Sequence, residues 1–230
     1  MKHIELVTNP KMKHYVVEES YKTIRANLLF CSNDMKTILI TSCHAHEGKT
    51  TSAVELCRSL TEIGKKVLLI DADLRKATVM RRLVTVQEGE IMGLSQYLSG
   101  QATIDDVLYH TQLPLMDIIF SGQCPPNPSE LVGSTRFKEL LDALKEQYDY
   151  ILVDTPPVGL VIDAAMLAPY CDGAIMVVAL GEVSKKFAQD AKQQIEMSGF
   201  HIIGVILNEA KQNQKSHIFS KKTKYYRASK

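Results

Sequence analysis

The sequence at residues 37–50 reads TILITSCHAHEGKT. An apolar run (37–42) leads into a short loop, and a helix-like stretch from Thr51 to Ile63 follows the Lys49-Thr50 pair. A strand, a tight loop and a helix amino terminus form the setting of a phosphate-binding loop, in which backbone N–H groups point at phosphate oxygens. We therefore predict a nucleotide-phosphate site here.

The residues of this loop have separate expected roles. The ammonium group of Lys49 would reach the β and γ phosphates, and the hydroxyl of Thr50 would ligate Mg²⁺. The sequence of the loop departs from the usual G-x-x-x-x-G-K-[ST] pattern, since Cys43 takes the place of the first glycine. A GKT triplet alone arises often by chance, so its position after an apolar strand is what supports the prediction. The residues expected to surround the nucleotide are His44, Ala45, His46, Glu47, Gly48, Lys49, Thr50 and Thr51.

Apolar runs and helix-like stretches alternate along the chain, which is typical of an α/β protein with a mainly parallel sheet and helices on both faces. The runs are rich in Ile, Val and Leu, as expected of strands covered on both sides. The six predicted strands are 37–42, 66–71, 116–122, 150–154, 173–180 and 202–208. The predicted helices are 16–30, 51–63, 134–147, 163–170 and 184–197. Two shorter helices, 94–98 and 104–109, lie in a less regular segment (77–114) where we expect surface loops.

Acidic residues follow two of these strands. The strand KVLLID ends in Asp71 and is followed by Asp73, and the strand YILVD ends in Asp154. Carboxylates at strand ends can hold a metal-bound water or take a proton from an attacking hydroxyl. An acidic turn is the alternative for the first pair, and a helix cap is the alternative for Asp154. We favour the metal role for Asp154 because the next predicted helix starts only near Asp163.

The composition favours one domain. The chain has 230 residues, of which 45% are hydrophobic and 23% charged, which is enough to bury a single large core. Five cysteines lie scattered without a C-x-x-C pair, which argues against a disulfide framework or a zinc site. No apolar run reaches about 18 residues and the amino-terminal segment is charged, so we expect neither a membrane span nor a signal segment.

The charge is distributed unevenly along the chain. The net charge is +1, but residues 211–230 carry seven basic side chains and no acid, which leaves 20 basic against 26 acidic residues elsewhere. We expect a flexible basic tail at 211–230, a flexible segment at 1–14 and one folded domain over 15–210. A basic tail can also touch nucleic acid, anionic lipid or an acidic partner, but we favour a solvated tail and expect no nucleic-acid partner.

Taken together, these motifs resemble the bacterial tyrosine kinases that regulate capsule and exopolysaccharide synthesis. This family is a branch of the P-loop ATPases related to the septum-site and chromosome-partition ATPases. Its D-x-D-x-R motif is matched at 71–75, and its D-T-P-P strand end is matched at 154–157. The segment PPNPSEL (125–131) is more particular to this branch than any phosphate-binding loop is. The resemblance covers about 18–208.

The resemblance implies ATP and Mg²⁺ as cofactors and a role for each matched residue. Lys49 and Thr50 would bind phosphate and the ion. Asp73 and Asp154 would hold the waters of the ion, and Asp71 would be the base that accepts the proton of the tyrosine hydroxyl.

The helix before the first predicted strand carries a motif similar to the E-x-x-R-x-x-R of the family, through which subunits of a ring-shaped octamer contact one another. Glu19, Lys22 and Arg25 are spaced by three, which places them along one helix face. Lys22 stands where arginine is usual, and an ammonium group cannot make the bidentate pairing of a guanidinium. The resemblance thus implies a homo-oligomer, and an ordinary solvated face is the alternative.

The tail and the partners of the chain are also implied by the resemblance. In these kinases, neighbouring subunits phosphorylate tyrosines in the tail, and this chain offers Tyr225 and Tyr226. Two incidental tyrosines in a charged tail are the alternative. The resemblance further implies a transmembrane chain-length or co-polymerase protein as activator, a cognate tyrosine phosphatase, and a cytoplasmic location at the inner face of the plasma membrane through the activator.

Three positions bear on the choice between related functions. His46 replaces a glycine common in the relatives, which predicts a strained residue or a differently bent loop. His44 stands where partition ATPases carry a signature lysine, and this favours the kinase branch. Asn208 matches the asparagine that hydrogen-bonds adenine in the relatives, with a strand-end cap as the alternative. The rival functions are an ATP-hydrolysing switch of the septum-site or partition type and a non-catalytic, nucleotide-binding regulator of polysaccharide assembly.

Overall fold

The computed structural model describes residues 2–6, 15–31, 34–76, 91–199 and 201–209. The strands are β1 (Lys2–Ile4), β2 (Thr37–Ser42), β3 (Val67–Asp71), β4 (Leu108–Thr111), β5 (Met116–Ile119), β6 (Tyr150–Asp154), β7 (Gly173–Ala179) and β8 (Ile202–Asn208). The α-helices are α1 (Tyr15–Cys31), α2 (Lys49–Thr61), α3 (Leu94–Leu98), α4 (Ile104–Val107), α5 (Pro128–Val132), α6 (Thr135–Lys145), α7 (Asp163–Leu167) and α8 (Lys185–Met197). A 3-10 helix, Ala168–Tyr170, continues α7.

All of these strands join one sheet in the order β1-β4-β5-β3-β6-β2-β7-β8. Every neighbouring pair is parallel except β4 and β5, which are antiparallel. The predicted mainly parallel α/β fold is confirmed.

The helices cover both faces of the sheet, which explains why the central strands read as continuous apolar runs. On one face, β2 and β3 pack against α2, whose Leu56 and Leu60 are fully buried. On the other face, the same strands pack against α6, α7 and α8 through Phe137, Leu167 and Ile195. Burying one such side chain stabilises the fold by about 1.5–3 kcal/mol.

A crevice lies at one edge of the sheet, where the carboxyl ends of β3, β6 and β2 are side by side. The chain leaves β2 toward α2 on one face, whereas it leaves β6 toward α7 on the opposite face. Ligands of open α/β sheets bind outside the carboxyl ends of the strands where the connections diverge in this way.

The sequence missed two strands and one helix. β1 and β4 are only three and four residues long, too short to show periodicity, and α5 lies within the PPNPSEL segment. The helix predicted at 104–109 is wrong at its end, because the chain turns extended at Leu108 and pairs with β5.

The predicted domain boundaries are only partly covered by the structure. The segment expected to be flexible, 1–14, contains β1 at its start, because residues 2–4 pair with β4. Residues 7–14 and the tail, with Tyr225 and Tyr226, lie outside the described residues. Within the described ranges, no helix combines the length and apolar character that crossing a bilayer demands.

Candidate active site

The predicted phosphate-binding loop joins β2 to α2 and has an unusual backbone. Gly48 has a φ of 85°, and a Cβ there would lie 2.2 Å from Nδ2 of Asn208, so only glycine fits. His46 also lies in the left-handed region, with a φ of 71°, which is uncommon for a residue with a side chain. Of the two expectations for His46, the strained conformation is the one observed.

Glu47 holds the loop to the ends of two neighbouring strands. Its side chain is only 2% exposed, and its carboxylate accepts hydrogen bonds from the N–H of His44 at 2.5 Å and the N–H of Ala179 at 3.0 Å. The Nδ2 group of Asn208 donates to the carbonyl oxygen of Glu47 at 2.9 Å. The sequence indicated no such role for Glu47, since its partners are backbone groups distant in the chain. The adenine contact of Asn208 stays a prediction.

The structure brings together the five residues expected to carry the chemistry. The Nζ atom of Lys49 lies 3.4 Å from Oδ1 of Asp154 and 3.7 Å from Oδ2 of Asp73. The hydroxyl of Thr50 donates to Oδ2 of Asp154 at 2.5 Å. Asp71 and Asp154 are register partners at the ends of β3 and β6, so their carboxylates share the crevice. We call these five residues the carboxylate cluster.

The carboxylate cluster contains more negative charge than its single ammonium group balances. Burial raises the pKa of Asp71 well above its ordinary value, and the charge of Asp154 raises it further. Burial also raises the pKa of Asp73, against the charge of Lys49. Burial alone would lower the pKa of Lys49, but the carboxylates of Asp154, Asp73 and Asp71 raise it.

Two oxygens of the carboxylate cluster have no partner in the described part of the chain. They are Oδ2 of Asp71 and Oδ1 of Asp73, and both are buried. Most buried polar atoms in folded proteins are hydrogen-bonded, so exceptions of this kind mark sites that await a ligand. A carboxylate-rich cluster with open oxygens fits a hard cation such as Mg²⁺, which prefers oxygen ligands.

An open pocket lies beside the carboxylate cluster, and Lys49, Thr50 and Asp73 of the cluster line it. One wall is the loop with Lys49 and Thr50, and the facing wall includes Arg75, Pro157 and Leu160. The proline wall is fixed to β2, because the hydroxyl of Thr41 donates to the carbonyl oxygen of Pro156 at 3.0 Å.

Arg75, Ser129 and Asp163 form a second polar group at this pocket. The Nε and Nη2 atoms of Arg75 donate to the Asp163 carboxylate at 2.9 and 3.2 Å, and Nη2 also donates to Oγ of Ser129 at 2.8 Å. Arg75 and Ser129 lie in the motifs at 71–75 and 125–131, but the sequence indicated no role for Ser129 or Asp163. Spacing along the chain does not reveal which distant segments are in contact in the fold.

The three residues expected at a subunit contact do not act as one group within this chain. Lys22 pairs with Glu19 at 2.7 Å on an exposed face. Arg25 turns toward α2, where it lies 3.1 Å from Glu62 and donates to the carbonyl oxygen of Ser59. Their role in oligomerisation stays a prediction.

Known proteins resemble this chain over most of its length. An AAA-domain family model matches residues 35–198. The tyrosine-protein kinase CpsD of Streptococcus agalactiae is 38% identical over 213 residues, which cover 93% of this chain and 92% of that protein.

Two solved structures share the fold. The kinase domain of the Escherichia coli tyrosine kinase ETK superposes with a TM-score of 0.79 at 32% identity, covering 84% of this chain and 75% of that one. The septum site-determining protein MinD from Pyrococcus horikoshii, complexed with Mg-ADP, superposes with a TM-score of 0.64 at 28% identity, covering 78% of this chain and 72% of that one. The chain therefore belongs to the bacterial tyrosine kinase family, which is a branch of the P-loop ATPases and is structurally related to MinD.

Proposed function

We propose that this chain is an ATP-dependent protein-tyrosine kinase that regulates capsular or exopolysaccharide synthesis. The observation that carries the proposal is the carboxylate cluster, in which a lysine, a hydroxyl and strand-end carboxylates meet beside an open pocket. Phosphoryl transfer depends mainly on positioning and on neutralising charge, and these groups are suited to both.

The residues of the cluster fit ATP and Mg²⁺. Thr50, Asp73 and Asp154 would hold the ion directly or through its waters, and Lys49 would bind the β and γ phosphates. When bound, the ion neutralises negative charge on the phosphate oxygens.

Asp71 is the residue to which we assign the proton of the attacking tyrosine hydroxyl. Burial and the neighbouring charge of Asp154 raise the pKa of Asp71, so its carboxylate binds a proton more tightly than an ordinary aspartate does. A base whose pKa approaches the working pH is the more effective catalyst. An unpartnered oxygen, Oδ2, is available for the proton.

The acceptors we propose include Tyr225 and Tyr226 of a neighbouring copy. The basic tail would approach the remainder of the chain, in which acidic residues outnumber basic ones. We further propose a homo-oligomer formed through the helix face of Glu19, Lys22 and Arg25. A transmembrane activator and a tyrosine phosphatase would complete the system, and the activator would place the kinase at the inner face of the plasma membrane.

Anti-phosphotyrosine blotting tests the proposal. The purified full chain is incubated with Mg·ATP and the cytoplasmic segment of the proposed activator, and a Lys49→Met variant and a Tyr225→Phe/Tyr226→Phe variant are treated in the same way. Lys192→Met is the matched control, because it removes an ammonium from an exposed helix pair with Glu196. We expect phosphotyrosine in wild type and control, none in Lys49→Met, and a strong loss in the double tyrosine variant.

Two outcomes favour a rival function. Steady release of phosphate without phosphotyrosine in the wild type indicates a hydrolytic switch, a function in keeping with the fold shared with MinD. Nucleotide binding with neither reaction indicates a non-catalytic regulator.

A further inference from the structure

Arg75, Ser129 and Asp163 come from three distant segments and form a closed hydrogen-bonded group, which we call the arginine anchor. Arg75 follows β3, Ser129 lies in α5, and Asp163 is the first residue of α7. The hydroxyl of Ser129 accepts from Nη2 of Arg75 at 2.8 Å and donates to Oδ1 of Asp163 at 2.7 Å. The same Nη2 reaches Oδ1 of Asp163 at 3.2 Å, so each member contacts the other two.

The electrostatics of the arginine anchor show an ionised, tightly held pair. The Asp163 side chain is 1% exposed, whereas that of Arg75 is 39% exposed and lines the pocket. Burial alone would raise the pKa of Asp163, but hydrogen bonds from Arg75 and Ser129 hold this pKa below its ordinary value. A guanidinium that binds both oxygens of a carboxylate is fixed in orientation as well as in position.

The arginine anchor fixes the turn that carries Asp73. The N–H of Lys76 donates to the carbonyl oxygen of Asp73 at 3.1 Å, which closes a turn with Arg75 inside it. Asp73 begins this turn, and Oδ2 of its carboxylate lies 3.7 Å from Nζ of Lys49. The direction in which the carboxylate projects therefore depends on the turn, and the Arg75 side chain ties the turn to α5 and α7.

The arginine anchor also links the two segments that follow the catalytic strands. Asp163 begins the helix that follows β6 and its Asp154, and Arg75 lies four residues after Asp71 at the end of β3. The bond between Arg75 and Asp163 therefore joins the segments that follow β3 and β6, beside the pocket that Arg75 lines.

We propose that Arg75, Ser129 and Asp163 are positioning residues for Asp73, acting through the turn 73–76. This inference rests on the proposed function, in which Asp73 holds the waters of the ion. Loss of the anchor should leave the phosphate-binding loop intact but should loosen the carboxylate, so the chemical step suffers more than nucleotide binding does.

The test compares Arg75→Lys, Ser129→Ala and Asp163→Asn with wild type in the full chain. Lys138→Ala is the matched control, because it breaks an exposed ion pair with Asp142, and neither residue lines the pocket. The measurements are kcat and KM for ATP in tyrosine phosphorylation, the Mg²⁺ concentration at half-maximal binding of a fluorescent ATP analogue, and the melting temperature.

We expect kcat to fall roughly ten- to a hundredfold in Arg75→Lys and Asp163→Asn, because a misplaced catalytic group costs up to about that factor. Ser129→Ala should lower kcat by about fivefold, the cost of one hydrogen bond. The Mg²⁺ midpoint should rise in all three variants, while the KM for ATP changes much less.

Ser129→Ala keeps the ion pair between Arg75 and Asp163, so this variant tests the positioning of Asp73 without removing a charge from the fold. A wild-type kcat and Mg²⁺ midpoint in that variant and in Arg75→Lys would overturn the proposal, as would a loss of kcat with no shift of the Mg²⁺ midpoint. If the wild type makes no phosphotyrosine, the proposed function fails, and the Mg²⁺ midpoint alone then decides whether the anchor positions Asp73.

Discussion

Two buried aspartates on neighbouring strands have opposite surroundings. Asp117, on β5, has a partner on each oxygen: Nδ1 of His110 lies 2.6 Å from Oδ1, and the hydroxyl of Tyr148 donates to Oδ2 at 2.6 Å. Asp71, on β3, receives one bond from the N–H of Asp73 at 3.2 Å, and its other oxygen has no partner among the described residues.

This difference distinguishes a structural carboxylate, Asp117, from a carboxylate that is available for catalysis, Asp71. A fully satisfied buried group rigidifies its surroundings, whereas a partly satisfied one destabilises the fold. Asp117 therefore ties β5 to the neighbouring strand β4 through His110, and Asp71 lowers the stability of the nucleotide-free protein. This contrast can be tested by changing each aspartate in turn.

The largest expected effect is on catalysis by Asp71. Asp71→Asn should lower the rate of tyrosine phosphorylation by about 10²–10⁴-fold, the usual contribution of a general base. The same change should raise the free energy of unfolding of the nucleotide-free protein, because burial and the charge of Asp154 disfavour the ionised form of Asp71. Phosphotyrosine quantification and urea denaturation measure the two quantities. An active Asp71→Asn variant would remove the base assignment.

The opposite result is expected at Asp117. Asp117→Ala should lower the free energy of unfolding by about 2–4 kcal/mol, because Tyr148 and His110 lose their shared acceptor. Urea denaturation at pH 7 measures this, and Asp142→Ala on the exposed face of α6 is the control. Phosphotyrosine formation per folded molecule should stay at the wild-type level. A destabilisation no larger than that of the control would contradict a structural role.

The pH dependence of stability should also reveal the raised pKa of Asp71. Because burial raises the pKa of Asp71 in the folded state, its stabilising neutral form is fully present below the ordinary carboxyl pKa of about 4 and is lost as the pH rises toward the raised value. The stability gained by Asp71→Asn should therefore grow from pH 4 to pH 8 in urea denaturation.

Asp172 serves as the control with the opposite slope. Burial alone would raise its pKa, but hydrogen bonds from the backbone N–H groups of Thr37 and Lys36 hold the pKa below the ordinary value. The stability that Asp172 contributes is present above the ordinary pKa and is lost as the pH falls. The cost of Asp172→Asn should thus shrink on acidification, and parallel slopes for the two variants would contradict the assignment.

The smallest expected effect is at the hydroxyl of Tyr148. Tyr148→Phe should cost about 1 kcal/mol of unfolding free energy, the value of one buried hydrogen bond. Urea denaturation measures this cost. Tyr97→Phe serves as the comparison, because the Tyr97 ring contacts the guanidinium of Arg136 and the variant keeps this ring. Equal losses of unfolding free energy in the two variants would show that the hydrogen bond from Tyr148 to Asp117 does not stabilise the fold.

The sequence predicted most of what depends on local pattern. The six predicted strands were found because apolar runs covered on both faces are conspicuous, and strands 37–42, 150–154 and 202–208 match the structure at both ends. Lys49, Thr50 and the three aspartates could be predicted to meet, since the carboxyl ends of parallel strands share one edge of a sheet.

What the sequence could not predict depends on contacts between distant residues. The partners of Glu47 are backbone N–H groups, which leave no trace in residue identity. The meeting of Arg75, Ser129 and Asp163 requires three motifs to be placed in space. Short edge strands such as β1 follow from pairing with β4 rather than from periodicity.

The bond between Asn208 and Glu47 sets a boundary for shortened versions of this protein. The last described strand ends in the residue that holds the phosphate-binding loop, and its carbonyl oxygen accepts a hydrogen bond from the N–H of Leu180 at 2.9 Å. A chain cut after Glu209 keeps both bonds, whereas a chain cut after Leu207 loses them. Two residues thus separate a truncation that keeps the bonds of Asn208 to Glu47 and Leu180 from one that removes both.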